Sequence, residues 1–167
     1  GMGTLGKIAG LLHDKGKEKK AFQQHIKRES GLEPHIKVDG DYSHAYVGAL
    51  IAKQLYPQIH PFLSTQIIGH HRGLYDYNIL NSEMSEHEIP SDVTVPDATD
   101  TSLMRSELQK IPRLKGKDFH HLHRMLYSCL VDADFLDTEA FMDRQSASLR
   151  QSNITLDELY PKLHTFL

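Results

Sequence analysis

Apolar residues along this chain recur three and four apart rather than in alternation, a pattern that predicts helices. Leu5, Ile8, Ala9, Leu11 and Leu12 fall on one helical face, and Gly16 reads as the stop beyond it. A charged helix is predicted from Lys17 to about Glu29, with Ala21, Phe22 and Ile26 turned inward. Gly31, Pro34 and Gly40 mark a loop. Asp41 or Ser43 is placed to cap a helix reaching about Tyr56, striped by Val47, Leu50, Ile51 and Leu55. A further helix, over about 61–70, carries Phe62, Leu63, Ile67 and Ile68 and should end between Gly69 and Gly73.

The pattern then turns polar. A long loop is predicted over about 75–117, with the strand-like fragment Val93-Thr94-Val95 and a short helix near Ser102 to Lys110. Loops of that length are usually functional. The longest helix is predicted from about Asp118 to Arg144, with Leu122, Leu126, Cys129, Ala133, Leu136 and Ala140 on its apolar side. A last one starts near Thr155. The expected architecture is all-α, one domain over residues 2–167.

Composition narrows the function classes. With 39% apolar and 25% charged residues the chain reads as a folded globular domain. A net charge of −3 provides no global basic field for nucleic acid. The single cysteine, Cys129, excludes an internal disulfide framework and fits a reducing compartment. The longest apolar run, Tyr46 to Ala52, is too short to span a bilayer, and no signal peptide pattern precedes it, so a cytoplasmic location is expected. Gly1 ahead of Met2 reads as an expression scar. Histidine is the departure: 12 residues, including the doublet His70-His71. Neutral imidazole is the commonest metal ligand, so this excess favours a metal site.

Four places set polar groups beside core segments. They are His13-Asp14 before Gly16, His44 at the start of an apolar helix, His70-His71 at the end of another, and Asp132 with Asp134 in a late helix. Singly, each has an ordinary reading: an ion pair or cap, a partly solvated helix end, a surface carboxylate. Together they suit one shared divalent cation, since buried polar groups need partners. A mixed imidazole and carboxylate set favours manganese, iron, nickel, cobalt or zinc over magnesium or calcium alone. His120, His121 and His123 crowd the start of the long helix without a zincin pattern, and Cys129 is expected in the core.

The run Ala9-Gly10-Leu11-Leu12-His13-Asp14-Lys15-Gly16-Lys17 resembles the central signature of the HD superfamily of metal-dependent phosphohydrolases. Ser43-His44-Ala45, Ile68-Gly69-His70-His71-Arg72-Gly73-Leu74 and the run from Leu126 to Glu139 are similar to blocks of the HD nuclease domain of the type I CRISPR-associated nuclease-helicase. The resemblance implies that His13 and Asp14 bind one metal ion, with Asp14 bridging to a second held by His44, His70 and His71. Asp134, or its neighbour Asp132, would close the first site. It further implies Asp14 and Lys17 as catalytic residues, and Lys17, Arg72 and Ser128 as substrate contacts, with Lys115 and Lys117 as further candidates for the phosphate backbone. Two ions about 3.5–4 Å apart would support in-line displacement at phosphorus.

By the same resemblance the expected function is a nuclease that cuts single-stranded DNA in CRISPR interference. Its expected partners are that DNA, a separate helicase subunit and the CRISPR effector complex. The family has a further metal-binding histidine on an upstream helix; here only twelve residues precede His13, none of them histidine, which implies a weakened first site. No Gly-x-x-x-x-Gly-Lys-Ser/Thr loop occurs, so a standalone nuclease form, or a piece of a fusion, is expected. Two alternatives stand beside it: an HD phosphohydrolase acting on nucleotides or another small phosphoester, and an inactive HD remnant serving as a binding module.

Overall fold

The computed structural model describes residues 2–74, 76–110, 116–150 and 155–166. Among these every regular element is helical, so the protein is all-α. Its elements are α1 (Gly3–Leu12), a 3-10 turn (Lys15–Glu18), α2 (Lys20–Glu29), α3 (Ala45–Leu55), α4 (His60–Gly69), α5 (Tyr77–Met84), α6 (Ser102–Gln109), α7 (Gly116–Met142), α8 (Arg144–Arg150) and α9 (Leu156–Phe166). The chain divides into two units, residues 1–131 and 132–167, with the division falling inside α7. No described helix is long and apolar enough to cross a membrane.

The first unit is built on α1, α3 and α4. Leu5, Ile8, Ala9 and Leu12 of α1 meet Val47, Ala49, Ile51 and Ala52 of α3, and Leu63, Ile67 and Ile68 of α4, all buried. Helix α4 is buried at nearly every position, as expected of a helix enclosed on all sides rather than striped. Leu80 and Met84 of α5, Leu130 of α7, and Val93 between α5 and α6 add to this core.

One contact decides where the chemistry goes. A Cβ on Gly48 of α3 would overlap the carbonyl oxygen of Leu12, and one on Gly16 would overlap the backbone of His44. Both positions must therefore lack a side chain, and the end of α1 lies directly on the start of α3.

Several sequence expectations are corrected. Helix α1 does end at Leu12, before Gly16, but the glycine lies within the 3-10 turn and is needed for the close approach to His44. Neither Asp41 nor Ser43 caps α3; His44 holds the N-cap position, and the Asp41 carboxylate accepts instead from the backbone N–H and hydroxyl of Ser43 (2.8 and 2.6 Å). Ile26 is exposed, because only Ala21 of α2 is buried. The expected loop contains α5, capped by the Asp76 carboxylate on the Asn78 N–H (2.8 Å). Val93 is no strand; it is a buried core residue of an irregular segment. Cys129 is exposed, because α7 meets the core through Leu126 and Leu130, four apart, which turns Cys129 outward. Tyr75 and residues 111–115, among them Lys115, lie outside the described residues.

In the second unit α8 starts on Asp143, whose carboxylate accepts from the backbone N–H groups of Gln145 and Ser146 (3.1 and 3.0 Å). A reciprocal capping box, Thr155 with Glu158, starts α9. No described residue there is buried, so Leu136 and Ala140, expected on an apolar stripe, are exposed.

Candidate metal centre

Three chain segments of the first unit end at one place. The close approach at Gly16 and Gly48 sets His13 and Asp14, at the end of α1, against His44 at the head of α3. Helix α4 delivers His70 as its C-cap, and His71 follows. There the chain turns sharply: the N–H groups of Arg72 and Gly73 both donate to the Gly69 carbonyl (2.9 and 2.7 Å), with Gly73 at φ +94°. One ligand atom from each of Asp14, His44, His70 and His71 lies within 4.8 Å of the other three. The Asp14 Oδ1 stands 3.9 Å from His44 Nε2 and 3.8 Å from His70 Nε2.

Backbone carbonyls fix the tautomers. His13 Nδ1 donates to the Gly10 carbonyl (2.8 Å), and His70 Nδ1 donates to the carbonyl of Ile67. A carbonyl only accepts, so each Nδ1 carries the proton and each Nε2 presents a lone pair. This is the arrangement by which metal-binding histidines are oriented. His44 Nε2 and His71 Nε2 are 2.8 Å apart, one donating to the other. Imidazole nitrogens on one ion stand about 3.0–3.4 Å apart at metal–nitrogen distances near 2.1 Å, so a small movement converts this pair to ligands.

Two atoms at this point are buried without a hydrogen-bond partner, Asp14 Oδ1 and His70 Nε2. Orphaned buried acceptors are costly and rare. A cation between them satisfies both, so the residues present fit a divalent metal ion.

The protonation states agree. Burial opposes the ionised form of Asp14, but the Lys17 ammonium hydrogen-bonded to Oδ2 helps to overcome it, and the carboxyl is held well below the usual carboxylate range. Burial, with the neighbouring His71 imidazole, lowers His44 to about 4, and burial lowers His70 as well. Near neutral pH Asp14 is therefore a carboxylate and His44 and His70 are neutral, the forms that bind metal.

The other sequence candidates have their own places in the structure. Lys17, still 40% exposed, holds Asp14 Oδ2 at 2.6 Å, so it serves the carboxylate rather than standing alone as a phosphate contact. Arg72 is exposed, and its Nη1 donates to the hydroxyl of Tyr46 (3.4 Å), which donates to Glu83 (2.7 Å). Ser128 and Lys117 are exposed on α7. Asp132 and Asp134 belong to the second unit, the first exposed and the second half-buried. Sequence reasoning missed the Gly10 and Ile67 carbonyls and the need for Gly48. The carbonyls had a readable signal, each lying three residues before a histidine at a helix end.

No protein-family model matches the chain, and searches of curated proteins and of solved structures returned no significant match.

Proposed function

We propose that this protein is a divalent-metal-dependent phosphodiester hydrolase, with single-stranded DNA as its substrate and CRISPR interference as its setting. The observation that carries the reading is the meeting of Asp14, His44, His70 and His71 from three segments, with two buried acceptors aimed at one point. The choice of substrate and setting rests on the sequence resemblance.

When bound, a divalent ion supplies Lewis-acid activation of water and of the phosphoryl oxygens. Asp14 keeps its charge at neutral pH and offers Oδ1 to the centre while Lys17 holds Oδ2. Lys17, on Asp14 Oδ2 at 2.6 Å, is the cation that would exchange that carboxylate oxygen for a phosphate oxygen. Arg72, one residue past the doublet, adds a second cation for the phosphate backbone, held by Tyr46. His13 and Asp14 stand as the proposed ligands of a first ion, and His44, His70 and His71 as those of a second.

Purified protein loaded in turn with manganese, cobalt, nickel, zinc, iron or magnesium tests this on single-stranded DNA, on mononucleotides and on bis(p-nitrophenyl) phosphate. Cleavage of DNA with a transition metal, abolished in Asp14→Ala, is the expected result. Phosphate release from mononucleotides with DNA left intact would favour the small-phosphoester reading. A chain that takes up none of these ions, and gains no thermal stability from them, would favour the binding module.

A further inference from the structure

Lysine is almost never buried without a partner, yet the Lys19 side chain is only 9% exposed. Its ammonium donates to the Asp41 carboxylate (3.1 Å) and to the carbonyl oxygen of Ser43 (2.7 Å). The same carboxylate accepts from the Ser43 N–H and hydroxyl. Residues 41–43 are thus folded around one cation. The next residue is His44.

His44 enters α3 without any side-chain cap to fix it. Its backbone is held from two directions by one short stretch of chain. Gly16 presses on its Cα and carbonyl, and Lys19 grips the carbonyl just before it. That stretch begins at Asp14, the N-cap of the 3-10 turn, and ends at Lys19, its C-cap. A carboxylate ligand therefore sits at one end of a rigid turn, and the clamp on an imidazole ligand sits at the other.

We propose that Lys19 is a positioning residue of the metal centre, setting the distance between His44 and Asp14 by tying the segment before His44 to the turn that begins at Asp14. The inference rests on the metal-centre reading. Lys19 touches no ligand atom and acts through the Ser43 carbonyl. Partners that orient metal ligands typically cost about 10–100-fold in affinity when removed.

The test is Co²⁺ binding by calorimetry, with the visible ligand-field spectrum and thermal melting, in wild type, Lys19→Met, Lys19→Arg, Asp41→Asn and His44→Ala. Lys19→Met should bind about tenfold or more weakly, with a spectrum shifted toward that of His44→Ala. Lys19→Arg, which keeps a donor for Ser43, should recover most of the affinity and the wild-type spectrum. A Lys19→Met protein that melts lower but binds Co²⁺ with wild-type affinity and spectrum would show a purely structural lysine and overturn the inference alone. If Lys19→Met does not fold, Asp41→Asn decides: a loss of threefold or more supports the clamp, and unchanged binding overturns it. Wild type that takes up no Co²⁺ overturns the metal centre itself, and this inference with it.

Discussion

His70-His71, at the end of α4, and His120-His121-x-His123, on the first half of α7, look alike as sequence, yet the fold treats them differently. The doublet arrives where two other segments also end, with one Nδ1 tied to a carbonyl and a carboxylate opposite. The triplet stays on one helix. His120 and His121 are exposed, with ring centroids 6.3 Å apart, while His123 bonds to Thr65 Oγ1 (2.9 Å) and packs on Phe62. It borders an apolar cavity of about 560 Å³ lined by Ile59, Phe62, Leu74 and Met104. Density of imidazole does not make a site. Convergence of lone pairs from separate elements does, and glycines that let backbones touch make it possible.

The largest effect expected on this contrast comes from Gly48→Ala. The new methyl would push α3 off the end of α1, at a cost of about 1–3 kcal/mol or more. Chemical denaturation should show that loss, and metal uptake should fall with it, since the same contact brings His13-Asp14 to His44. A comparable stability loss with metal affinity intact would break the link between the crossing and the site.

Acid should sharpen the comparison next. His44 has an ordinary value of 6.5 and is lowered to about 4 by burial. Above about pH 6.5 the folded and unfolded chains both hold it neutral, and its full contribution to stability is present. Below that the unfolded chain takes a proton that the folded site refuses, so stability falls as pH drops from 6.5 toward 4, by on the order of 2 kcal/mol. Burial also lowers His60, His70 and His123, which adds to the fall. Melting of metal-free protein across this range, with His44→Ala as control, measures it; a flat profile would mean that His44 is solvated.

A smaller change is expected from His123→Ala. Thr65 loses one of its three hydrogen-bond contacts and Phe62 a neighbour, a loss of about 1–2 kcal/mol, with no change in metal affinity. Denaturation and metal titration on the same sample separate the two. Reduced metal binding would give the triplet a role this account denies it.

The core-forming helices were legible because their stripes are strong: Leu5, Ile8 and Leu12, or Val47 and Ile51, repeat at helical spacing and are buried where expected. Helix α5 was not, since Leu80 and Met84 are its only buried residues and a polar background hides two apolar positions. The face of α7 was misread because Leu130, not Cys129, is the buried position, and an apolar run continuing to Ala140 gives no sign that burial stops. Of the site, the residue types in their order could be read from the chain. Their meeting could not, because it depends on Gly16 and Gly48 as points of backbone contact. A lone glycine reads as a turn until its neighbour in space is known.

The most direct test of convergence is Mn²⁺ binding by equilibrium dialysis, comparing wild type, His70→Ala/His71→Ala and His120→Ala/His121→Ala. Wild type should hold at least one ion per chain; the doublet variant should lose about a hundredfold or more in affinity, beyond what orienting partners contribute; and the α7 variant should match wild type within about twofold. Equal losses in the two variants, or a loss confined to the α7 pair, would contradict a centre built from Asp14, His44, His70 and His71.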